Sequence, residues 1–336
     1  MSRIYNFTQA LPTPRELKSA LPASDLSKKC IVSWRKQATD IIAKRGQRVA
    51  IIVGPCSIHD ANAAKEYARK LKDVIPDLSS HFFVVMRVYL EKARTRLGWK
   101  GFLYDNRYAI DERLAMARKL FLEITDIGIP IATEFLDPML APYFSDIITW
   151  GVVGARTTSS QIHRHMASNM PMPIGFKNTT DGNTRIAINA VASSQHSHPL
   201  ISIDESGRPS LFQSQGNPNT HIILRGGETS TNYDKDSIAK TVEILKDENL
   251  TPRFIIDCSH GNCEGNYMKQ KDVFTDLIDQ IHNDNVNIAG MMIESNLEGG
   301  RHEPPTYKQS ITDPCLGWDD TKKILFDGHK KLAGSS

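Results

Sequence analysis

Eight short apolar runs limit the fold of this chain more than any other feature. They cover residues 49–53, 82–86, 129–133, 150–154, 173–176, 221–224, 253–256 and 287–293. Runs that are apolar almost throughout are typical of parallel strands covered on both faces. Most are separated by helix-sized segments with apolar residues three or four apart, for example Leu114, Ala117, Leu120, Phe121 and Ile124. Eight strands alternating with helices over roughly 290 residues predict an α/β fold, the (β/α)8 TIM barrel.

A doubly wound open sheet is the main alternative to the barrel. Such a sheet usually carries a glycine-rich, phosphate-binding turn after its first strand. The first apolar run is followed instead by Gly54-Pro55-Cys56-Ser57. This segment lacks the glycine-rich pattern and therefore favours the barrel.

Two segments lie outside the barrel plan. Residues 1–48 form an N-terminal extension that contains Pro12 and Pro14 and is predicted to become helical at about 28–45. Residues at about 200–214 are predicted to form two short strands around Gly207, a β-hairpin inserted before the sixth barrel strand. We therefore divide the chain into an extension, 1–48, and a catalytic barrel, 49–336. The added segments could serve assembly or regulation, or have neither role.

Charge and cysteine content exclude several classes of protein. The 41 basic and 38 acidic residues nearly balance, which gives no indication of a nucleic-acid binder. The apolar runs are much shorter than the roughly 20 residues of a membrane span, and the first residues lack the apolar core of a signal peptide. The five cysteines show no repeated Cys-x-x-Cys spacing. Reduced thiols and a cytoplasmic location are the expectation.

Polar or ionisable residues stand at or just after the end of every apolar run. In chain order they are Cys56, Arg87, Glu134, Arg156, Lys177, Arg225, Asp257 with His260, and Glu294. Barrel enzymes build their active sites at the carboxyl ends of the strands. A single polar residue at a strand end is expected anyway, because strand ends face water. Polar residues at all eight strand ends indicate that they line one shared site.

Two kinds of chemistry are present among these residues. Arg87, Arg156, Lys177 and Arg225 would repel one another around one opening unless an anion joined them. A second basic cluster, within residues 92–101, suggests a second phosphate-bearing ligand. Thiolate, imidazole and carboxylate are ligands of borderline divalent transition metals, and they are offered here by Cys56, His260, Glu294 and, in the C-terminal tail, Asp313.

Motifs spread over residues 10 to 327 resemble the type I 3-deoxy-D-arabino-heptulosonate-7-phosphate (DAHP) synthase family. The segments that carry the resemblance are Gly54-Pro55-Cys56-Ser57-Ile58-His59-Asp60, Gly98-Trp99-Lys100-Gly101, Gly154-Ala155-Arg156-Thr157-Thr158, Gly175-Phe176-Lys177-Asn178, His221-Ile222-Ile223-Leu224-Arg225-Gly226-Gly227, Asp257-Cys258-Ser259-His260, Glu294-Ser295 and Ser310-Ile311-Thr312-Asp313. The resemblance implies a transferase of the shikimate pathway, the route to aromatic amino acids. It joins phosphoenolpyruvate to erythrose 4-phosphate and releases phosphate.

The resemblance also implies a role for each site residue. A divalent metal (Mn²⁺, Co²⁺, Fe²⁺ or Zn²⁺) would be held by Cys56, His260, Glu294 and Asp313. Phosphoenolpyruvate would be held by Arg87, Lys92, Arg156, Lys177 and Arg225, and the aldose phosphate by Arg94 and Thr95. Lys92 or Lys177 could donate a proton, beside the metal ligands Cys56 and His260. A homodimer or homotetramer is expected, and in many relatives the added segments bind a feedback amino acid.

The chain departs from the family pattern mainly around the aldose. Ala93 replaces the proline of Lys-Pro-Arg-Thr, Arg96 follows Thr95, and Ser159 replaces a glutamate. Ser206 stands where related sequences often have tryptophan in the hairpin, and Pro171 lies in a stretch linked to effector choice. Three alternatives therefore stay open: a relative that uses another phosphorylated aldose, a non-catalytic effector-binding paralogue, and an unrelated metal-dependent aldolase or isomerase barrel.

Overall fold

The strands form a closed parallel barrel. The computed structural model describes residues 10–105, 109–303 and 305–334. The eight barrel strands are β1 Val49–Gly54, β2 Phe82–Arg87, β3 Ile131–Glu134, β4 Trp150–Val153, β5 Ile174–Lys177, β8 His221–Leu224, β9 Phe254–Asp257 and β10 Ile288–Glu294. They are hydrogen-bonded around the barrel in the order β1-β10-β9-β8-β5-β4-β3-β2. The predicted barrel is thus confirmed and the open sheet was the wrong alternative.

Helices cover the outside of the barrel. In the described residues they are α1 Pro14–Ala20, α2 Asp25–Ile42, α3 Ala61–Leu78, α4 Ile110–Ile127, α5 Ala141–Phe144, α6 Gln161–Ser168, α7 Thr184–Ser194, α8 Lys235–Asp247, α9 Gln270–His282 and α10 Trp318–Ala333. The inserted hairpin is confirmed as an antiparallel pair, β6 Pro199–Ile203 and β7 Pro209–Gln213. Its chain reversal contains Gly207 at φ 75°, a conformation that glycine adopts without steric cost.

Several strands run one residue further than the apolar pattern indicates. Arg87, Lys177, Asp257 and Glu294 are the last residues of β2, β5, β9 and β10, and all four are buried. A charged side chain at such a position is held by the backbone ladder of its strand. Its direction into the barrel mouth is therefore fixed by the sheet and not by a loop.

The N-terminal extension contributes a plug to the barrel. Ala38, Ile41 and Ile42 of α2 are buried in one cluster with inward-facing strand residues such as Ile52 and Phe83. Arg253 donates a hydrogen bond from Nε to the Ile41 carbonyl at 2.5 Å. The amphipathic end of α2 therefore closes the end of the barrel opposite the strand carboxyl ends. The division of the chain at residue 48 stays a prediction.

The helical start of the extension differs from the expected 28–45. The helix α2 begins earlier, at Asp25, because the Ser24 side chain accepts a hydrogen bond from the Ser27 N–H and caps it. The short helix α1 was not predicted. Its first turn is fixed by a capping box between Thr13 and Glu16, with Pro14 at the first helical position. In the described ranges, no helix has the length and apolar character needed to cross a membrane.

A buried histidine makes the barrel sensitive to acid. His221 Nε2 lies 3.3 Å from Trp150 Nε1, which can only donate, so this nitrogen is the acceptor and the ring is neutral. Burial lowers the pKa of His221 to about 4.

We expect the free energy of unfolding to fall as the pH drops below about 6.5. In that range His221 binds a proton in the unfolded chain but stays neutral in the folded protein. The loss should reach about 3 kcal/mol near pH 4. Urea unfolding of the wild type and His221→Gln at pH 7 and pH 5 measures this contribution. Equal losses in the two proteins between these pH values would contradict the assignment.

Candidate active site

All the predicted site residues line one cavity at the carboxyl ends of the strands. The cavity has a volume of about 380 Å³. Its wall includes the predicted metal ligands Cys56, His260, Glu294 and Asp313, and the predicted anion ligands Arg87, Lys92, Arg94, Thr95, Arg156, Lys177 and Arg225. The barrel closure thus brings these residues together, while the individual roles remain predictions.

Three of the four predicted metal ligands form a compact donor set. Cys56 Sγ and one oxygen each of Glu294 and Asp313 lie within 4.8 Å of one another. His260 lies beside them, with Nε2 3.6 Å from Glu294 Oε1. Sulfur, carboxylate oxygen and imidazole nitrogen together suit a borderline divalent metal. The residues present therefore fit such an ion.

The Lys92 ammonium group lies among these donors. Its Nζ donates to Cys56 Sγ at 3.0 Å and to Asp313 Oδ2 at 2.8 Å. Burial opposes ionisation of Asp313, yet Lys92 outweighs it and holds the pKa of this carboxyl below its usual value. Burial and the Glu294 carboxylate raise the pKa of the Cys56 thiol to about 11. Cys56 would have to release its proton to bind a metal.

Asp257 connects the predicted anion ligand Lys177 with the predicted metal ligand His260. It is fully buried, and its Oδ2 lies 2.8 Å from Lys177 Nζ and 3.0 Å from His260 Nδ1. Burial raises the pKa of Asp257, but Lys177 and His260 outweigh this and hold it well below normal. A carboxylate on Nδ1 orients the ring of a metal-binding histidine, and it leaves His260 Nε2 facing Glu294.

Arg87 presents an unpartnered donor. Its Nη2 donates to Glu294 Oε1 at 3.0 Å, and both side chains are buried. Across the described ranges, no group accepts a hydrogen bond from its buried Nη1. A buried donor without an acceptor is unfavourable by about 1–3 kcal/mol. Arg87 Nη1 can therefore donate a hydrogen bond to an anion bound in the cavity.

The other cations surround the same space. Arg156 donates from Nε to Thr95 Oγ1 at 2.8 Å, which connects the fourth strand end to the loop after β2. Burial lowers the pKa of Arg225, and nearby Arg156 adds to the effect. In the loop, Arg94 Nε donates to the Trp99 carbonyl at 2.8 Å. The crowding of these positive charges favours a multiply charged anionic ligand.

Some cavity residues had no role in the sequence analysis. Glu134, at a strand end, has no predicted role, and neither do Tyr89 and Glu91, which also line the cavity. Tyr89 lies under Arg87, with the guanidinium carbon 4.1 Å from the ring centroid. The sequence could have indicated Tyr89 and Glu91, because both closely follow β2 and precede the predicted ligand Lys92.

Known proteins are similar to this chain in sequence and fold over nearly their whole length. The model of a family described as the DAHP synthetase I family matches residues 26–326. Phospho-2-dehydro-3-deoxyheptonate aldolase, Trp-sensitive, from Escherichia coli K12 is 43% identical, covering 97% of this chain and 95% of the relative. The Tyr-sensitive enzyme of the same strain is 42% identical, covering 97% and 94%. A solved phospho-2-dehydro-3-deoxyheptonate aldolase from Francisella tularensis SCHU S4 has a TM-score of 0.95 at 40% identity, covering 99% of each chain.

Proposed function

Because the chain belongs to the DAHP synthetase I family, we propose that it condenses phosphoenolpyruvate with erythrose 4-phosphate and releases phosphate. The observation that carries this proposal is a single cavity lined both by the donor set of Cys56, Glu294 and Asp313 and by several arginine and lysine side chains. Such a site can hold two phosphorylated substrates beside a divalent metal. Family membership leaves no place for the unrelated aldolase or isomerase barrel.

The proposed metal site consists of Cys56, His260, Glu294 and Asp313. A bound divalent ion (Mn²⁺, Co²⁺, Fe²⁺ or Zn²⁺) would supply Lewis acidity toward the aldehyde oxygen of the acceptor. Asp257 fixes the His260 ring, and Arg87 fixes one oxygen of Glu294. The donor set is thus held by buried partners before any ligand enters.

The chain's cations have a separate task. We assign phosphoenolpyruvate to Arg87, Lys92, Arg156, Lys177 and Arg225, and the phosphate of the aldose to Arg94 and Thr95. Held in this way, C3 of phosphoenolpyruvate can form a bond to the aldehyde carbon. The aldehyde oxygen takes a proton from Lys92 or Lys177 at the same time. Water then adds at C2 and returns one proton to that lysine, and the C2–O bond to phosphate breaks as the remaining hydroxyl proton passes to the phosphate and C2 becomes a ketone. The cations offset the repulsion between the two anionic substrates.

An assay with a panel of aldoses tests the proposed reaction. Phosphate release and heptulosonate formation should require phosphoenolpyruvate, erythrose 4-phosphate and a divalent metal, and a chelator should stop both reversibly. Ala93, Arg96 and Ser159 motivate the second candidate, in which another phosphorylated aldose is the acceptor. A higher kcat/KM with ribose 5-phosphate or arabinose 5-phosphate than with erythrose 4-phosphate would establish it. No turnover with any acceptor would indicate the non-catalytic paralogue.

A second cavity is our candidate for an effector site. It measures about 830 Å³ and its apolar wall includes Met139, Ile162, Met170, Leu200 and Phe212. Polar groups of Gln161, Asn169, Ser202 and Asp204 also line it, so that an aromatic ring and an amino-acid head group could both be accommodated. Pro171 lies in this wall, and Ser206 is not among its lining residues.

We expect one aromatic amino acid to bind in this cavity and inhibit the enzyme. Calorimetry with L-phenylalanine, L-tyrosine and L-tryptophan measures binding, and Met170→Trp, which fills the cavity, should abolish it while the uninhibited rate stays the same. Inhibition that persists in Met170→Trp would place the effector elsewhere.

Assembly and location are further parts of the proposal. Ile201 and Leu211 face each other across the hairpin and are 76% and 75% exposed. An exposed apolar pair of this kind suits contact with a second copy of the chain, as a homodimer or homotetramer. Light scattering of Ile201→Asp should show a smaller species. All five cysteines are free, which supports the cytoplasm as the location.

A further inference from the structure

Glu91 is a buried acidic residue of the cavity wall to which the proposed reaction gives no role. It is 7% exposed and lies four residues after the end of β2. Its neighbour in sequence, Lys92, opens the loop that carries Arg94 and Thr95. Burying a carboxyl group is unfavourable unless hydrogen bonds or a charged partner compensate it.

The side chain of Glu91 binds the segment that follows β3. Its Oε2 accepts hydrogen bonds from the backbone N–H groups of Leu136 at 3.2 Å and Asp137 at 3.3 Å. Its Oε1 lies 3.4 Å from the Tyr104 hydroxyl, which is also 3.4 Å from Asp137 Oδ2. One carboxyl group thus connects three separate stretches of chain.

The protonation of this cluster agrees with its geometry. The Tyr104 hydroxyl has one proton, so it can donate to only one of the two carboxyl groups beside it. The second contact becomes a hydrogen bond only if a carboxyl group is itself protonated. Burial, with the nearby Asp137 carboxylate, raises the pKa of Glu91 to about 8. Glu91 can therefore supply the second proton at neutral pH.

The backbone on either side of Glu91 forms the base of the loop over residues 92–100. Lys92 N donates to the Lys100 carbonyl at 2.9 Å, and Leu103 N donates to the Leu90 carbonyl at 3.2 Å. Gly101, at φ 112°, packs so closely that a Cβ there would lie 2.6 Å from Glu91 Cα. Both ends of the loop consequently meet at Glu91, and its side chain attaches them to residues 136–137.

We propose that Glu91 is a positioning residue for the aldose phosphate, holding the base of loop 92–100 against segment 136–137 so that Arg94 and Thr95 stay over the cavity. The inference rests on the proposed function, because that function assigns this loop to the aldose. Phosphoenolpyruvate should depend on Glu91 much less. Arg87 and Lys177 are held on strand ends, and the Lys92 ammonium has its own partners in Cys56 and Asp313.

Kinetics of two Glu91 variants test this role. Glu91→Ala removes the acceptor of two backbone N–H groups, so the KM for erythrose 4-phosphate should rise at least tenfold while kcat and the KM for phosphoenolpyruvate change less than threefold. Glu91→Gln keeps an acceptor oxygen and an N–H donor, and it should restore the KM to within threefold of the wild type. Tyr104→Phe, which removes one hydroxyl, should give a smaller increase than Glu91→Ala.

Hydrogen exchange of the loop gives a readout that does not need turnover. In the full-length enzyme, amides of residues 92–100 should exchange at least tenfold faster in Glu91→Ala and at the wild-type rate in Glu91→Gln. Unchanged exchange in the loop, or equal increases of both KM values, overturns the inference. Absence of erythrose 4-phosphate turnover in the wild type would instead contradict the proposed function, and the exchange experiment would still decide the role of Glu91.

Discussion

Replacement of Cys56 with alanine is expected to remove bound metal and to lower kcat by on the order of a thousandfold or more, because the ion would lose its only sulfur ligand and the acceptor its Lewis acid. The fold should persist, since loss of one buried sulfur destabilises by roughly 1 kcal/mol. Metal content by mass spectrometry, kcat, and circular dichroism measure the three effects.

A matched control separates the site from general thiol effects. Cys30→Ser alters a cysteine on α2, on the extension, and should leave metal content and kcat at wild-type values. Mild peroxide should inactivate the metal-loaded wild type, because the sulfur that binds the metal is a thiolate and thiolates oxidise readily. Full activity in a metal-free Cys56→Ala protein would falsify the assignment.

Replacement of Arg156 with glutamine is expected to weaken phosphoenolpyruvate binding by roughly 10- to 150-fold. The range corresponds to about 1.5–3 kcal/mol for hydrogen bonds to a charged group. Arg156 also donates to Thr95 Oγ1, so a rise of about twofold in the KM for erythrose 4-phosphate should accompany the main effect. The KM values of both substrates, measured at saturation of the other, give the comparison.

Two further variants divide the contributions of Arg156. Arg156→Lys keeps the charge but loses the planar fork, and it should give an intermediate KM for phosphoenolpyruvate. Thr95→Val removes the hydroxyl that accepts from Arg156 and that we assign to the aldose phosphate, and it should raise the KM for erythrose 4-phosphate alone. Equal increases of both KM values in Arg156→Gln would mean that the two phosphate subsites are not separate.

The sequence by itself determined the barrel and the position of its mouth. Near-continuous apolar runs report burial on both faces, which is a property of each strand and needs no partner to be recognised. In a closed parallel barrel all strands end at the same rim, so residues such as Arg87 and Glu294 could be assigned to one cavity before any contact was known. The sequence also contains the capping signal of α1, because Thr13 and Glu16 stand three residues apart. The helix that they begin was nevertheless not predicted.

Only the tertiary structure decided how these residues pair. Lys92 lies between Cys56 and Asp313, residues 257 positions apart in the chain, and Asp257 is shared by Lys177 and His260. No periodicity encodes such contacts, because they depend on barrel closure and on the path of the loops. The burial of Glu91 has the same origin. Its environment comes from residues 104, 136 and 137, and the neighbouring sequence shows only a glutamate in a basic loop.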